Sequence, residues 1–140
     1  MRDIKFRAWV KESWSSQLQK WIKEKLFYCV FLMKGHIRIP DSSLSSANFD
    51  ECEIMQCTGL KDKNGKEIYE NNVLRMYIKS TVNGNNITVI DTVKITFESG
   101  AFWYKGKFYT GCDWNFYNAE DIEVIGNIYE NPELLKGVKI

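Results

Sequence analysis

Apolar and polar residues alternate with a period of two along most of this chain, which is the pattern of half-buried β-strands. In the segment 4–10 the apolar residues fall on one face, and Lys5, Arg7 and Trp9 fall on the other. We therefore predict a first strand whose outer face carries these three residues.

One early segment has a helical period instead. Four apolar residues recur there at spacings of three and four: Leu18, Trp21, Ile22 and Leu26. They predict a short amphipathic helix, and the apolar run 26–33 that follows is typical of a buried strand. The serine-rich stretch 42–48 predicts an exposed loop, which is the best internal boundary within a single domain of residues 1–140.

The second half of the chain reads as a series of short strands joined by turns. Asn83-Gly84 is a strong turn pair between two apolar segments, and so predicts a hairpin. A final short helix is predicted to begin at Asn131, with Pro132 at its first position. The further predicted strands are 92–97, 101–104, 107–110, 122–125 and 127–129. Together the patterns predict a mainly β protein, a small barrel or sandwich of short antiparallel strands with one or two short helices.

Composition bounds the class of protein. The chain has 140 residues, 44% of them hydrophobic, which suits one folded domain. The apolar run 26–33 is far shorter than the roughly 20 residues of a membrane-spanning helix, and the charged N-terminus has no stretch of signal-peptide length. Four cysteines fit reduced, structural thiols. We expect a cytoplasmic protein with no membrane contact, no metal and no cofactor.

Charge is unevenly distributed, although the formal net charge is only +1. Residues 1–41 hold nine Lys or Arg against four Asp or Glu, whereas residues 113–133 hold six acids and no base. The two ends could pair within one chain, pair between subunits of a homo-oligomer, or leave a basic face for phosphates.

The segment TGLKDKNGKEIYE, residues 58–70, has the glycines, lysines and threonine of a phosphate loop. A phosphate loop of the Walker type has four residues between its first glycine and Gly-Lys-Ser/Thr and then opens a helix. Here Gly59 and Gly65 are six apart, Glu67 follows Lys66, and a strand follows rather than a helix. The segment instead predicts a tight turn at Asn64-Gly65, with positive φ at both residues.

Residues 55–70 also carry a resemblance. Together with the opening residues 1–9 and the closing residues 122–135, this segment resembles the YopX-like family of phage and prophage proteins, in the family's order. The resemblance implies a mostly β fold, a phage or prophage origin and expression in the bacterial cytoplasm, and it implies no activity. Asn71-Asn72 stands where the family has Gly-Asp, and asparagine can adopt the left-handed conformation of that glycine.

Catalysis has little support in the sequence. His36 is the only histidine, so a Ser/His/Asp or Cys/His relay has no second candidate. Carboxylate pairs at strand spacing, such as Asp121 and Glu123, are usually solvated charge. We predict that the protein is not an enzyme.

Binding is the better prediction, with two candidate partners. The first is a host protein or a second copy of the chain, which a surface rich in aromatic residues and unpaired strand edges suits. The second is nucleic acid, bound by an aromatic and basic face. The residues that we assign to that face are Lys5, Arg7, Trp9, Tyr104, Lys105 and Lys107. We expect Phe102 and Phe108 to lie in the core.

Overall fold

The computed structural model describes residues 4–10, 13–15, 20–22, 25–28, 31–33, 36–38, 47–48, 52–114 and 118–138. The chain divides into two compact units, Met1–Cys57 (unit 1) and Thr58–Ile140 (unit 2). This division lies ten residues beyond the serine-rich stretch 42–48 in which we expected an internal boundary. Within that stretch, Ala47–Asn48 forms a strand, and residues 42–46 lie outside the described residues.

Unit 1 is built of short antiparallel strands. Its strands are β1 (Phe6–Val10), β2 (Ser13–Ser15), β3 (Lys20–Ile22), β4 (Lys25–Tyr28), β5 (Phe31–Met33), β6 (His36–Arg38), β7 (Ala47–Asn48) and the first part of β8 (Cys52–Lys61). β1 lies between β4 and β8, with Trp9 opposite Leu26 on one side and Glu53 on the other. β2 pairs with β3, and β6 lies between β5 and β7.

The helix that we predicted from Leu18, Trp21, Ile22 and Leu26 is wrong. β3 contains Trp21 and Ile22, and β4 contains Leu26. Antiparallel pairing of β4 with β1 and of β3 with β2 overrides the local helical spacing, because strand pairing depends on residues distant in sequence. The apolar run 26–33, predicted as one strand, contributes to two strands, β4 and β5, and residues 29–30 between them lie outside the described residues.

Unit 2 contains the larger sheet. The end of β8 is followed by β9 (Glu67–Tyr69), β10 (Asn72–Val82), β11 (Asn85–Glu98), β12 (Ala101–Gly106), β13 (Thr110–Gly111) and β14 (Ile122–Asn127). The last five form one antiparallel sheet in the order β13-β12-β11-β10-β14. Two 3₁₀ turns, Ala119–Asp121 and Pro132–Leu135, are the helical elements among the described residues of this unit, and Asn131 precedes the second as we predicted.

The fold is mainly β, as predicted. The sheets formed by the described strands are open, so the closed barrel that we offered as one alternative is absent from this part of the chain. β10 and β11 make the predicted hairpin, but β11 runs without interruption through both segments that we had read as separate strands.

Turn chemistry explains the hairpins. Asn83 and Gly84 have φ of 51° and 77°, and Ser99 and Gly100 have φ of 50° and 78°. Positive φ at both central residues is the type I′ turn, whose twist matches that of the flanking strands. Each pair therefore closes a two-residue hairpin loop, β10-β11 and β11-β12.

The core of unit 2 lies on one face of the five-stranded sheet. Its fully buried members come from four strands, and they are Ile68, Leu74, Val93, Ile95 and Ile122. Half-buried Met76, Phe102 and Trp114 pack against this cluster. Phe102 therefore contributes to the core, as we expected.

Candidate interaction site

The aromatic and basic face predicted from the sequence does not form as one surface. Arg7 and Trp9 are 2% and 6% exposed, so our expectation that β1 turns them outward is wrong. Lys5 is exposed. β1 lies between β4 and β8, and Arg7, Ala8, Trp9 and Val10 are all buried, so side chains on both faces of this strand are covered.

The three candidates in unit 2 have different surroundings. The Lys105 ammonium lies 2.5 Å from Glu98 Oε1, and this hydrogen bond lowers the pKa of Glu98. Burial, followed by the charge of Lys105, lowers the pKa of Lys94, which lies opposite it in the sheet. The Tyr104 hydroxyl donates to the main-chain oxygen of Asp113 at 3.3 Å. Lys107 is exposed.

Lys107 belongs to a loop and not to the strand that we predicted over 107–110. β12 ends at Gly106, and β13 begins at Thr110. The buried Asp91 carboxylate accepts hydrogen bonds from the main-chain N–H groups of Lys107, Phe108 and Tyr109, at 2.9 to 3.1 Å. These bonds replace the ladder bonds that a strand would make.

The same loop corrects our expectation for Phe108. We expected a core residue, but Phe108 is 62% exposed, with the Lys107 ammonium 5.3 Å from the centre of its ring. Asp91 holds the main chain of the loop, and this leaves the ring at the surface. Sequence reasoning missed Asp91, because its partners lie 16 to 18 residues away.

The turn at residues 62–66 is present, but its chemistry differs from our prediction. Gly65 has φ of 77°, whereas Asn64 is not among the residues with positive φ. The turn depends on Asp62, whose Oδ1 accepts from the N–H groups of Asn64 and Lys66 at 2.9 Å. Its Oδ2 accepts from the N–H of Val124 at 2.9 Å. The turn therefore reverses the chain and also fastens β14, and it shows no geometry for holding a phosphate.

Asn71 and Asn72 also fasten β14. Asn71 has φ of 62°, as we expected for a residue in a glycine position, and its side chain donates to the Tyr129 hydroxyl at 3.1 Å. The buried Asn72 side chain accepts from the N–H of Tyr69 at 2.8 Å and donates to the oxygen of Gly126 at 3.1 Å. The two asparagines that stand where the family has Gly-Asp thus hold this turn against the end of the chain.

The distal part of the β10-β11 hairpin is exposed over residues 81–88. β14 pairs with β10 only over Asn72–Met76, and β12 pairs with β11 only over Val93–Glu98. Residues 77–90, which we name the arm, therefore form a two-stranded ribbon, with no third strand paired to it among the described residues.

The arm continues the core face outward. The register places Ile78, Val82, Ile87 and Val89 on the same face as Leu74 and Val93, which are buried at the base of the hairpin. Val82 is 48% exposed and Ile87 is 41% exposed. Ile90, on the opposite face, is 55% exposed. Residues 80–90 contain no charged residue and no proline.

No triad or larger group of His, Cys, Asp and Glu side chains is arranged to hold a metal within the described residues. Nor does any helix in that part of the chain have the length and apolarity needed to cross a membrane.

Comparison with known proteins places the chain in a family. The family model described as YopX protein matches residues 5–136. The chain belongs to the YopX family. Its fold is similar to the crystal structure of protein EF1440 from Enterococcus faecalis, with 26% sequence identity and a TM-score of 0.60 over 96% of this chain and 99% of that one.

A second YopX-family structure is also similar. The X-ray structure of protein yopX from Bacillus subtilis has 21% identity and a TM-score of 0.53, and the match covers 96% of this chain and 98% of that one. At this identity the likeness concerns the fold alone. No curated protein matches the chain.

Proposed function

We propose that this YopX-family domain is a non-enzymatic binding module, which assembles with a second copy of itself by adding strand to strand at the arm. We also propose that it works in the bacterial cytoplasm and comes from a phage or prophage, as the family resemblance implies. The observation that carries the assembly proposal is the arm itself, a ribbon whose residues 80–90 are uncharged and which has unpaired edges and exposed apolar side chains.

The edge of β11 is suited to pairing. In an antiparallel ladder, alternate residue pairs exchange both hydrogen bonds, beginning with the pair Val82 and Asn85 that closes the turn. The main-chain groups of Asn86, Thr88 and Ile90 therefore point away from β10, toward the open edge. Natural proteins usually protect such edges with lysine, proline or a bulge, and β11 has none of these between Asn85 and Ile90.

A second copy is the partner that this edge favours. Residues 80–90 of two identical arms can approach without charge repulsion, because this stretch is uncharged. Pairing would also place the side chains of the added strand beside the exposed Ile87 and Ile90. A two-stranded ribbon is marginally stable alone, so added strands stabilise it.

Nucleic acid is the weaker candidate partner. Arg7 and Trp9 are buried, and Lys105 is bound to Glu98, so these residues do not present the basic face that phosphate contacts require. Lys107 and Phe108 lie at the surface, with the Lys107 ammonium 5.3 Å from the centre of the ring.

The test is light scattering on a size-exclusion column over a wide range of protein concentration, with two variants at Thr88. Thr88→Pro removes the outward N–H and leaves the ladder to β10 intact, because Thr88 lies in a pair that does not exchange bonds. Thr88→Val is the matched control, since it retains the N–H and the strand propensity.

We expect the wild type and Thr88→Val to rise from the 16.4 kDa monomer toward twice that mass as concentration increases. Thr88→Pro should remain a monomer with an unchanged far-UV circular dichroism spectrum. A wild type that stays monomeric at every concentration would overturn the proposal, and so would an oligomer that persists in Thr88→Pro. A peak that contains added DNA and dissolves at high salt would favour nucleic acid instead.

A further inference from the structure

A cavity of about 500 Å³ opens on the core face of the unit 2 sheet. Its floor is apolar and consists of Met76, Ile78 and Ile122. Aromatic rings line its side, among them Tyr104 and Trp114. An apolar cavity of about 150 Å³ is enough to bind benzene, so this larger one can take in an aromatic ring together with a small head group. Its volume and lining are within the range of small-molecule sites.

Two of the rings are fixed at a steep angle to each other. Tyr104 and Trp114 have ring centres 5.1 Å apart and planes inclined at 76°. The Trp114 indole N–H donates to the main-chain oxygen of Phe102 at 3.1 Å, and the Tyr104 hydroxyl donates to that of Asp113 at 3.3 Å. Both rings are therefore held in place before any ligand arrives, as preorganised recognition requires. Because their N–H and O–H groups already have acceptors, what they offer a ligand is chiefly apolar ring surface, against which a further aromatic ring packs edge-to-face or offset.

The charges of the lining give little support to a charged ligand. The Lys79 ammonium and the Asp121 carboxylate form an ion pair at 3.0 Å, so each already has a counter-charge. Asp113, the third charged residue of the lining, is exposed, and water weakens the field of an exposed carboxylate. The polar side chain of Asn118 accepts from the N–H of Glu120 at 3.2 Å. A charged ligand would therefore lose hydration inside the cavity without gaining an equally strong partner.

We propose that this cavity binds a small molecule with an uncharged aromatic ring. The ring would lie on the floor of Met76, Ile78 and Ile122 and pack against Tyr104 and Trp114. Burial of its apolar surface, the contact with the Met76 sulfur and ring–ring packing would supply the binding free energy. The proposal does not depend on assembly through the arm, so either can fail without the other.

The ion pair allows a test of why an uncharged ligand is preferred. In Lys79→Gln the Asp121 carboxylate loses its counter-charge, so it becomes available to a cationic ligand. This variant should therefore favour a cation relative to its neutral analogue, although the apolar floor of the cavity is unchanged.

A second pair of variants tests where the ligand binds. Ile78 lines the cavity on the core face, so Ile78→Trp should occupy the space of the ligand. Ile90 lies on the opposite face of the same hairpin and is 55% exposed, so Ile90→Trp is the matched control. Far-UV circular dichroism checks that both variants are folded.

The experiment is a titration of the isotope-labelled full chain, followed by NMR at the Trp114 indole N–H. The probes benzamide, benzamidinium and benzoate have nearly the same shape, and they are neutral, positive and negative, respectively. Cyclohexanecarboxamide retains the head group of benzamide without the aromatic ring. A blocked Gly-Phe-Gly tripeptide presents the ring as a protein side chain. The proteins are the wild type, Lys79→Gln, Ile78→Trp and Ile90→Trp.

We expect benzamide to bind the wild type with a dissociation constant on the order of 1 mM. Benzamidinium and benzoate should bind at least about fivefold more weakly, and cyclohexanecarboxamide about threefold more weakly. In Lys79→Gln the ratio of benzamide affinity to benzamidinium affinity should fall about threefold. Ile78→Trp should abolish the benzamide titration, and Ile90→Trp should leave it unchanged.

The proposal would be overturned if benzamide left the Trp114 signal unmoved, or if Ile78→Trp and Ile90→Trp bound benzamide equally well. Binding of either charged probe as tightly as benzamide would contradict the preference for an uncharged ligand, and equally tight binding of cyclohexanecarboxamide would contradict the preference for an aromatic one. An unchanged affinity ratio in Lys79→Gln would contradict the role of the ion pair. Tighter binding of the tripeptide than of benzamide would overturn a small molecule as the ligand, because the ring would then belong to a protein partner.

Discussion

Two buried aspartates in unit 2, Asp62 and Asp91, hold the main chain by the same kind of hydrogen bond. Asp62 does so within a turn, and Asp91 does so for a distant loop. Each carboxylate accepts three main-chain N–H groups. Two of the partners of Asp62 belong to its own turn, and the third is Val124. All three partners of Asp91 belong to one distant loop, residues 107–109.

The difference shows how strongly each backbone depends on its carboxylate. The turn at Asp62 also has two main-chain bonds of its own, Gly65 N–H to Asp62 oxygen at 3.0 Å and Asp62 N–H to Lys66 oxygen at 2.9 Å. In the loop, one main-chain bond, Gly106 N–H to Tyr109 oxygen at 2.7 Å, accompanies the three to Asp91. Asp91 should therefore be the more costly residue to replace.

The largest effect is expected for Asp91→Ala. Removing a buried carboxylate that holds three N–H groups should lower the free energy of unfolding by about 4 kcal/mol, because the loop loses its anchor and a cavity remains. Urea denaturation measures this value, and hydrogen exchange at residues 107–109 should become faster. The conservative Asp91→Asn should lose about half as much, and a loss below about 1 kcal/mol in Asp91→Ala would contradict this role.

The next largest effect on the free energy of unfolding is expected for Gly106→Ala, because Gly106 lies beside Asp91. A Cβ at Gly106 would collide with the Asp91 carboxylate and with the Val93 side chain. Gly106→Ala should therefore cost about 3 kcal/mol in the free energy of unfolding. Gly84→Ala is the control, because its Cβ meets open space and only its φ of 77° is unfavourable, at about 1 kcal/mol. Equal costs at the two glycines would show that close approach to Asp91 is not the cause.

Asp62→Asn should cost about 2 kcal/mol at neutral pH, and the cost should depend on pH. Burial raises the pKa of Asp62, but hydrogen bonds from Val124, Lys66 and Asn64 outweigh this and lower it below the ordinary 3.8. A carboxylate with a lowered folded-state pKa stabilises the protein above its unfolded pKa, and this stability is lost as the pH falls through the folded value. Denaturation of both proteins from pH 7 to pH 2 should therefore show the two stabilities converging below about pH 3.8. A difference that persists at pH 2 would assign the cost to shape rather than charge.

The smallest effects are expected within the turn at Asp62. Gly65→Ala should cost about 1 kcal/mol, because Gly65 has positive φ, although its Cβ would meet open space. Asn64→Ala should cost less than about 0.5 kcal/mol, because Asn64 does not have positive φ. Thermal unfolding of the two variants measures both losses of stability. A cost of about 1 kcal/mol at both positions would instead support our original prediction that both residues of the turn are left-handed.

Local chemistry decided which parts of the fold the sequence could predict. Asn83-Gly84 predicted the β10-β11 hairpin because a type I′ turn depends on the residues within it. Asn71 was predictable for the same reason, since its left-handed backbone is a property of one residue. The apolar period of two predicted the mainly β class.

Most of the failures concern partners distant in sequence; the exception is the turn at Asn64-Gly65, where the nearby Asp62 carboxylate holds the main chain. The helical spacing at residues 18–26 gave way to pairing of β4 with β1. Phe108 lies at the surface because Asp91 holds the main chain of its loop, and Arg7 and Trp9 lie on a strand with buried side chains on both faces. No pattern within any of these segments predicts which distant strand or residue it will contact. The arm was predictable as a hairpin, but its exposure depends on where β12 and β14 stop.

The fastening of Asp62 to Val124 has a consequence for the synthesis of the protein. The two residues are 62 positions apart. Asn72 and its hydrogen-bond partner Gly126 are 54 positions apart. During translation the central turn and the hairpin emerge well before these partners, so the sheet of unit 2 stays incomplete until β14 has left the ribosome. Slow, late closure of this kind is expected of sheets with distant pairings. While it lasts, the nascent chain exposes the edge of β10 over Asn72–Met76, in addition to the arm that the finished protein retains.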